Sequence, residues 1–135
     1  MITLILGKKG SGKTKKLMDL CNVAVEQSKG NVVFIEKDNT LTYDLSHKAR
    51  LVAAEDYAVR CYGCFYGFIA GMCAGNYDIT DIFVDSTLKI CGDVAAFETI
   101  AIALNELATK AEVNIAMTVS APFEELSADL QKMVL

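Results

Sequence analysis

The sequence predicts an α/β domain built on a parallel five-stranded sheet flanked by helices. Three observations carry this. Short, nearly continuous apolar runs recur along the chain, as in Ile2-Thr3-Leu4-Ile5-Leu6 and Ile82-Phe83-Val84. Such runs suit strands buried on both faces. Stretches with apolar residues at helical spacing separate them, and strands alternating with helices favour a parallel sheet joined by crossovers. The composition agrees: 53% of the 135 residues are hydrophobic and one is proline, which favours a packed core over disorder. This length suits a single domain spanning 1–135.

The elements follow in order. The first strand, 2–6, leads into a Gly/Lys/Ser loop. A helix over 13–28 presents Leu17, Leu20, Cys21, Ala24 and Val25 on one side, and Gly30 fits its stop. A second strand covers 31–35. The polar stretch 36–48 reads as a loop with room for a short helix. A weaker strand at 50–54 precedes a helix over 55–75. A strand at 79–85 is followed by an amphipathic helix over 93–112, with Asp93 as N-cap. The fifth strand is 114–119, and Pro122 is expected at the first position of a final helix.

The formal charge is -4 and the pI about 4.9. An acidic chain is a poor partner for nucleic acid or anionic membranes. Lys8, Lys9, Lys13, Lys15 and Lys16 nevertheless crowd one segment, which points to a small, highly charged anion. The five cysteines, Cys21, Cys61, Cys64, Cys73 and Cys91, are odd in number and suggest no disulfide framework. No signal peptide is expected, and a reducing cytoplasm fits best.

Gly7-Lys8-Lys9-Gly10-Ser11-Gly12-Lys13-Thr14 fits G-x-x-x-x-G-K-[ST] at every defined position. A loop of this kind wraps phosphates with backbone N–H groups, and its glycines let the backbone approach closely. Lys13 would reach the β- and γ-phosphates, and the Thr14 hydroxyl would ligate Mg²⁺. The following helix would aim the positive end of its dipole at the same anion. A preceding apolar strand and a following amphipathic helix are the context in which this motif has meaning. The metal also calls for a carboxylate at the end of a neighbouring strand. Asp85 closes Ile82-Phe83-Val84 in that way, at the carboxyl end of the sheet, whereas Asp81 lies toward the other end.

With these motifs placed, the chain resembles a minimal RecA-like P-loop ATPase core over residues 1 to about 121. The blocks are Gly7 to Thr14, Phe34-Ile35-Glu36-Lys37-Asp38, and Ile82-Phe83-Val84-Asp85-Ser86. The resemblance implies a three-layer sandwich whose strands run in the order 50s, 30s, 80s, 110s and first strand. It implies ATP and Mg²⁺ as ligands. Asp38 is then the carboxylate that orients the attacking water, with Glu36 as the alternative, and Ser120 takes the position that senses the γ-phosphate. Three departures stand out. Ser120 is shorter than the glutamine often found there, the chain is too short for the DNA-binding loops and flanking domains of recombinases, and Arg50 and Arg60 offer no recognisable arginine finger.

Three function classes remain open: a Mg²⁺-dependent ATPase working with partner subunits, a nucleotide-dependent binding module with little hydrolysis, and a small-molecule kinase or nucleotidyl or adenosyl transferase. ATP is preferred because no Asn-Lys-x-Asp guanine reader is present. An exposed edge on the first strand would favour homo-oligomers. Gly63, Gly67, Gly71 and Gly75 recur every fourth residue and suggest close packing of their helix, with self-association or a membrane helix as alternatives. That run is too short and glycine-rich to favour a membrane span. Cys61-Tyr62-Gly63-Cys64 reads first as buried free cysteines, with zinc or redox use as alternatives. His47 is expected on the surface.

Overall fold

The computed structural model describes residues 1–38 and 45–135, so 39–44 of the predicted 36–48 loop lie outside the described residues. Among the described residues the strands and α-helices follow in chain order: β1 (Ile2–Leu6), α1 (Lys13–Gln27), β2 (Asn31–Glu36), β3 (Arg50–Ala53), α2 (Tyr62–Gly75), β4 (Ile79–Val84), α3 (Thr87–Cys91), α4 (Val94–Ala111), β5 (Asn114–Val119) and α5 (Ala128–Gln131). All five strands are parallel and form one sheet in the order β1-β5-β4-β2-β3. This is the strand order that the resemblance implied.

Alternation along the strands divides the core between the two faces of the sheet. Ile5, Val32, Phe34 and Phe83 pack with Leu17, Met18 and Cys21 of α1. Ile2, Leu4, Val33, Ile35, Ile82, Val84, Ile115 and Met117 join α2 and α4 through Phe65, Ile69, Phe97, Ala101 and Leu104. Phe34 and Phe83 therefore face one way while their strand neighbours face the other.

Several expected boundaries shift. Helix α1 stops at Gln27, and Ser28 adopts an extended conformation. Gly30 is not the stop: it allows the chain to pass against the Asp78 carbonyl, where an added Cβ would come within 2.0 Å. The predicted 55–75 helix is two pieces. A single 3₁₀ turn covers Ala54–Tyr57, Ala58 takes a left-handed conformation (φ 57°), and α2 starts only after Cys61. Asp93 caps α4 as expected, its carboxylate accepting the Ala96 N–H at 2.8 Å. Pro122 does not open a helix. It precedes a 3₁₀ turn at Phe123–Glu125, and α5 begins after Ser127, whose hydroxyl accepts the Leu130 N–H.

The glycine ladder does not pack closely against any of the described residues of this chain. At Gly63, Gly67, Gly71 and Gly75 an added Cβ would meet nothing within 4 Å, and α2 buries Phe65, Ile69 and Cys73 instead. No helix among the described residues is long and apolar enough to cross a membrane. The outer edge of β1 is also not open at its centre. Leu4 donates its N–H to Met133 O and accepts the Leu135 N–H, both at 2.9 Å, as Val134 bridges to it in parallel.

Candidate functional site

The loop between β1 and α1 takes its shape from its glycines. Gly10 and Gly12 have φ of 82° and 87°, in the left-handed region that costs a side-chain-bearing residue about 1 kcal/mol or more. Ser11 N–H closes the turn onto Lys8 O at 3.0 Å. Helix α1 starts at Lys13 with no side-chain cap and no acidic residue in its first turn. Its leading N–H groups and the positive end of its dipole are therefore available to an anion. Lys13 Nζ donates to Lys8 O at 3.2 Å, so the ammonium folds back over the loop.

Thr14, in the first turn of α1, meets the end of β4. Its Oγ1 donates to Asp85, at 3.0 Å from Oδ1 and 3.2 Å from Oδ2. Asp85 is 5% exposed. Two more hydroxyls donate to the carboxylate: Thr118 Oγ1 to Oδ1 at 2.9 Å and Ser86 Oγ to Oδ2 at 3.3 Å. The Asp85 N–H donates to Ile35 O at 2.9 Å, which ties it to β2. Ser86 takes a left-handed backbone (φ 55°), unusual for a residue with a Cβ, and its N–H donates to Thr118 Oγ1 at 2.8 Å. Thr118 is fully buried and holds Asp85 and Ser86 together. Thr118 belongs to neither sequence motif.

The remaining predicted residues fall around this group. Glu36 ends β2 at 2% exposure, one residue beyond the Ile35 carbonyl that holds Asp85. Asp38 follows in a half-buried bend. Ser120 lies past the end of β5, exposed, and with Gly7, Lys8, Lys9, Pro122 and Phe123 it lines a cleft of about 600 Å³ beside the loop. Among the described residues, neither Asp38 nor Ser120 joins the hydrogen bonds around Asp85. Asp81 lies toward the amino end of β4, paired in register with Asn114, as expected. A separate apolar cavity of about 350 Å³, lined by Val33, Arg50, Met72 and Ile79 among others, reaches the residues that begin β3 and β4 and is remote from Asp85.

The donors around Asp85 are all oxygens, and its hydrogen-bond partners are neutral hydroxyls. Among the described residues the ion pair is Lys15–Asp19, at 3.4 Å, so no salt bridge offsets the buried carboxylate. A buried anion without a counter-ion is costly, and a hard divalent cation with oxygen ligands would offset that cost. One carboxylate and one hydroxyl suit Mg²⁺, which keeps several waters and takes further ligands from phosphates. Among the described residues no group of three or more His, Cys, Asp or Glu forms a metal cage.

The cysteines divide. Cys21, Cys73 and Cys91 are buried as expected, but Cys61 and Cys64 are exposed at the start of α2. Burial, and secondarily the charge of Asp81, pushes the Cys21 thiol up to about 12. Cys91 is also pushed to about 12 by burial, with Cys61 a smaller contributor. His47 is exposed, as expected.

No protein-family model matches this chain, and no curated protein sequence matches it.

Proposed function

We propose that the chain is a RecA-like P-loop protein that binds ATP with Mg²⁺ and hydrolyses it in concert with a partner subunit. The observation that supports this most is the Thr14–Asp85 hydrogen bond, which brings the glycine-rich loop and the end of β4 together around a buried carboxylate. In this reading the loop N–H groups from Gly7 to Thr14 hold the phosphates and Lys13 exchanges Lys8 O for a phosphate oxygen. Thr14 and Asp85 would hold the metal. Mg²⁺ would neutralise phosphate charge. The cleft beside Lys8, Ser120 and Phe123 gives the ligand room next to the loop.

Of the two acids at the end of β2 and just beyond it, Asp38 is assigned to orient water, with Glu36 as the alternative. Asp38 is half-buried and water reaches it, whereas Glu36 is sealed at 2% exposure. A partner is invoked because Arg50 begins β3, at the end of the sheet opposite Asp85. A missing cation of that kind costs about 10³- to 10⁵-fold in turnover.

The test is calorimetric binding of Mg-ATP and Mg-GTP with phosphate release on the same samples, beside Lys13→Ala. Lys13→Ala is expected to weaken ATP binding about 10- to 100-fold, the worth of one charge-assisted hydrogen bond. Tight binding with slow release supports the reading, and absence of Lys13-dependent binding to either nucleotide overturns it.

A further inference from the structure

Cys61 and Cys64 stand outside the site described above. Cys61 is the N-cap of α2, and its Sγ accepts the Cys64 backbone N–H at 3.3 Å, in the place where a Ser or Asp oxygen usually sits. A hydrogen bond joins the two Sγ atoms at 2.9 Å. A disulfide needs about 2.05 Å, so the two sulfurs stand close to bonding distance. Both residues are exposed, in contrast to the three buried cysteines.

The two thiols are also unlike. The Sγ–Sγ hydrogen bond with Cys64, and then the Cys64 N–H, lower the proton affinity of Cys61. The same shared bond raises that of Cys64. An exposed thiol of lowered proton affinity beside a second thiol is the arrangement that attacks disulfides. A structural zinc site would need four ligands, and no three-residue His, Cys, Asp or Glu cluster exists among the described residues.

We propose that Cys61 and Cys64 form a thiol–disulfide exchange site whose substrate is a disulfide, either of low molecular weight or on a protein, with Cys61 attacking and Cys64 resolving. The Cys61 thiolate attacks one sulfur of R–S–S–R. The new Cys61–S bond forms as the S–S bond breaks, and the electron pair leaves on R–S⁻, which takes up the proton that Cys61 released. Cys64, losing its own proton, then attacks Cys61 Sγ. The Cys61–Cys64 bond forms, and the second R–S⁻ departs and is protonated. Two cysteine thiols are oxidised by two electrons and one disulfide is reduced to two thiols. The site does not depend on nucleotide binding.

The test exposes the full chain to glutathione disulfide, quenches with acid, alkylates and weighs the peptide that begins at Cys61. Insulin serves as a protein disulfide in a parallel reaction, and the faster of the two names the source. Wild type is expected to lose two hydrogens and to keep no glutathione. Cys64→Ser is expected to retain one glutathionyl group on Cys61, and Cys61→Ser to react about tenfold more slowly or less. Circular dichroism confirms that both variants fold. Wild type that stays fully reduced with both disulfides, or equal adduct rates for the two variants, overturns the proposal.

Discussion

Thr14 and Asp85 lie 71 positions apart in the chain, yet the Thr14 hydroxyl donates to both oxygens of the Asp85 carboxylate, at 3.0 and 3.2 Å. The bond crosses from the helix after β1 to the end of β4, with β5 between those two strands. Thr118 on β5 completes the bridge by donating to the same carboxylate. The three residues are thus a hydrogen-bonded polar seam at the carboxyl end of the sheet.

Asp85→Asn tests whether that seam serves a cation. The carboxylate is buried without a salt bridge among the described residues. Removing its charge is expected to leave the ligand-free protein as stable or about 1 kcal/mol more stable. The same change should abolish the Mg²⁺-dependent part of any ATP-induced rise in melting temperature. Thermal melts with ATP, with and without Mg²⁺, measure both effects. A variant that loses several kcal/mol without ligand would mark Asp85 as structural.

Thr118→Val keeps the shape of a fully buried side chain and deletes its hydroxyl. Asp85 loses a donor and the Ser86 N–H loses its acceptor. The expected cost is about 1–3 kcal/mol, read from the urea midpoint, because buried polar partners are left unmatched. Thr118→Ser retains the hydroxyl and is expected to lose less.

These two residues also mark what the sequence could reveal. Asp85 was legible because an acid closing an apolar strand stands out against its neighbours. Thr118 was not, since a threonine inside a strand is ordinary on propensity grounds, and its role depends on β5 lying beside β4. The strands were legible for a related reason, since parallel strands buried on both faces are written as apolar runs, whereas their order came only from the resemblance to a RecA-like core. Helix α3 was missed because its five residues are too few to show a period. The exposure of Cys61 and Cys64 was missed because their segment is uncharged, and only the placement of the first turn of α2 brings them to the surface.

Two glycine substitutions should act in opposite directions. Gly67 lies within α2 with open space where a Cβ would stand. Gly67→Ala is expected to stabilise by up to about 1 kcal/mol through helix propensity. At Gly30 the Cβ would come within 2.0 Å of the Asp78 backbone carbonyl, where only a backbone shift can relieve it. Asn31 N–H also donates to Asp78 O at 2.7 Å, so that shift would disturb the junction of β2 and β4. Gly30→Ala is expected to destabilise, and denaturant melts of the two variants side by side give the signs. Loss of stability at Gly67 would mean that its open face is covered in solution.

The buried thiols predict an alkaline limb of stability. Burial holds the Cys21 thiol up to about 12, and Cys91 likewise. In the unfolded chain each returns to about 8.5. Between those values the folded state keeps a proton that the unfolded state has released, so rising pH favours unfolding. The contribution of each thiol is fully present below about pH 8.5 and is lost progressively as pH climbs toward 12. Cys21 lies against Leu17 and Phe34 in the α1 face of the core, so Cys21→Ala opens a small cavity and lowers stability at every pH. It should nonetheless flatten the decline, because the titrating group is gone. Urea midpoints at pH 7, 9 and 10 for the wild type and Cys21→Ala separate the two effects. The cavity moves all midpoints together, and the thiol changes their slope. Equal slopes in the two proteins would show that Cys21 does not keep its proton in the folded state across this range.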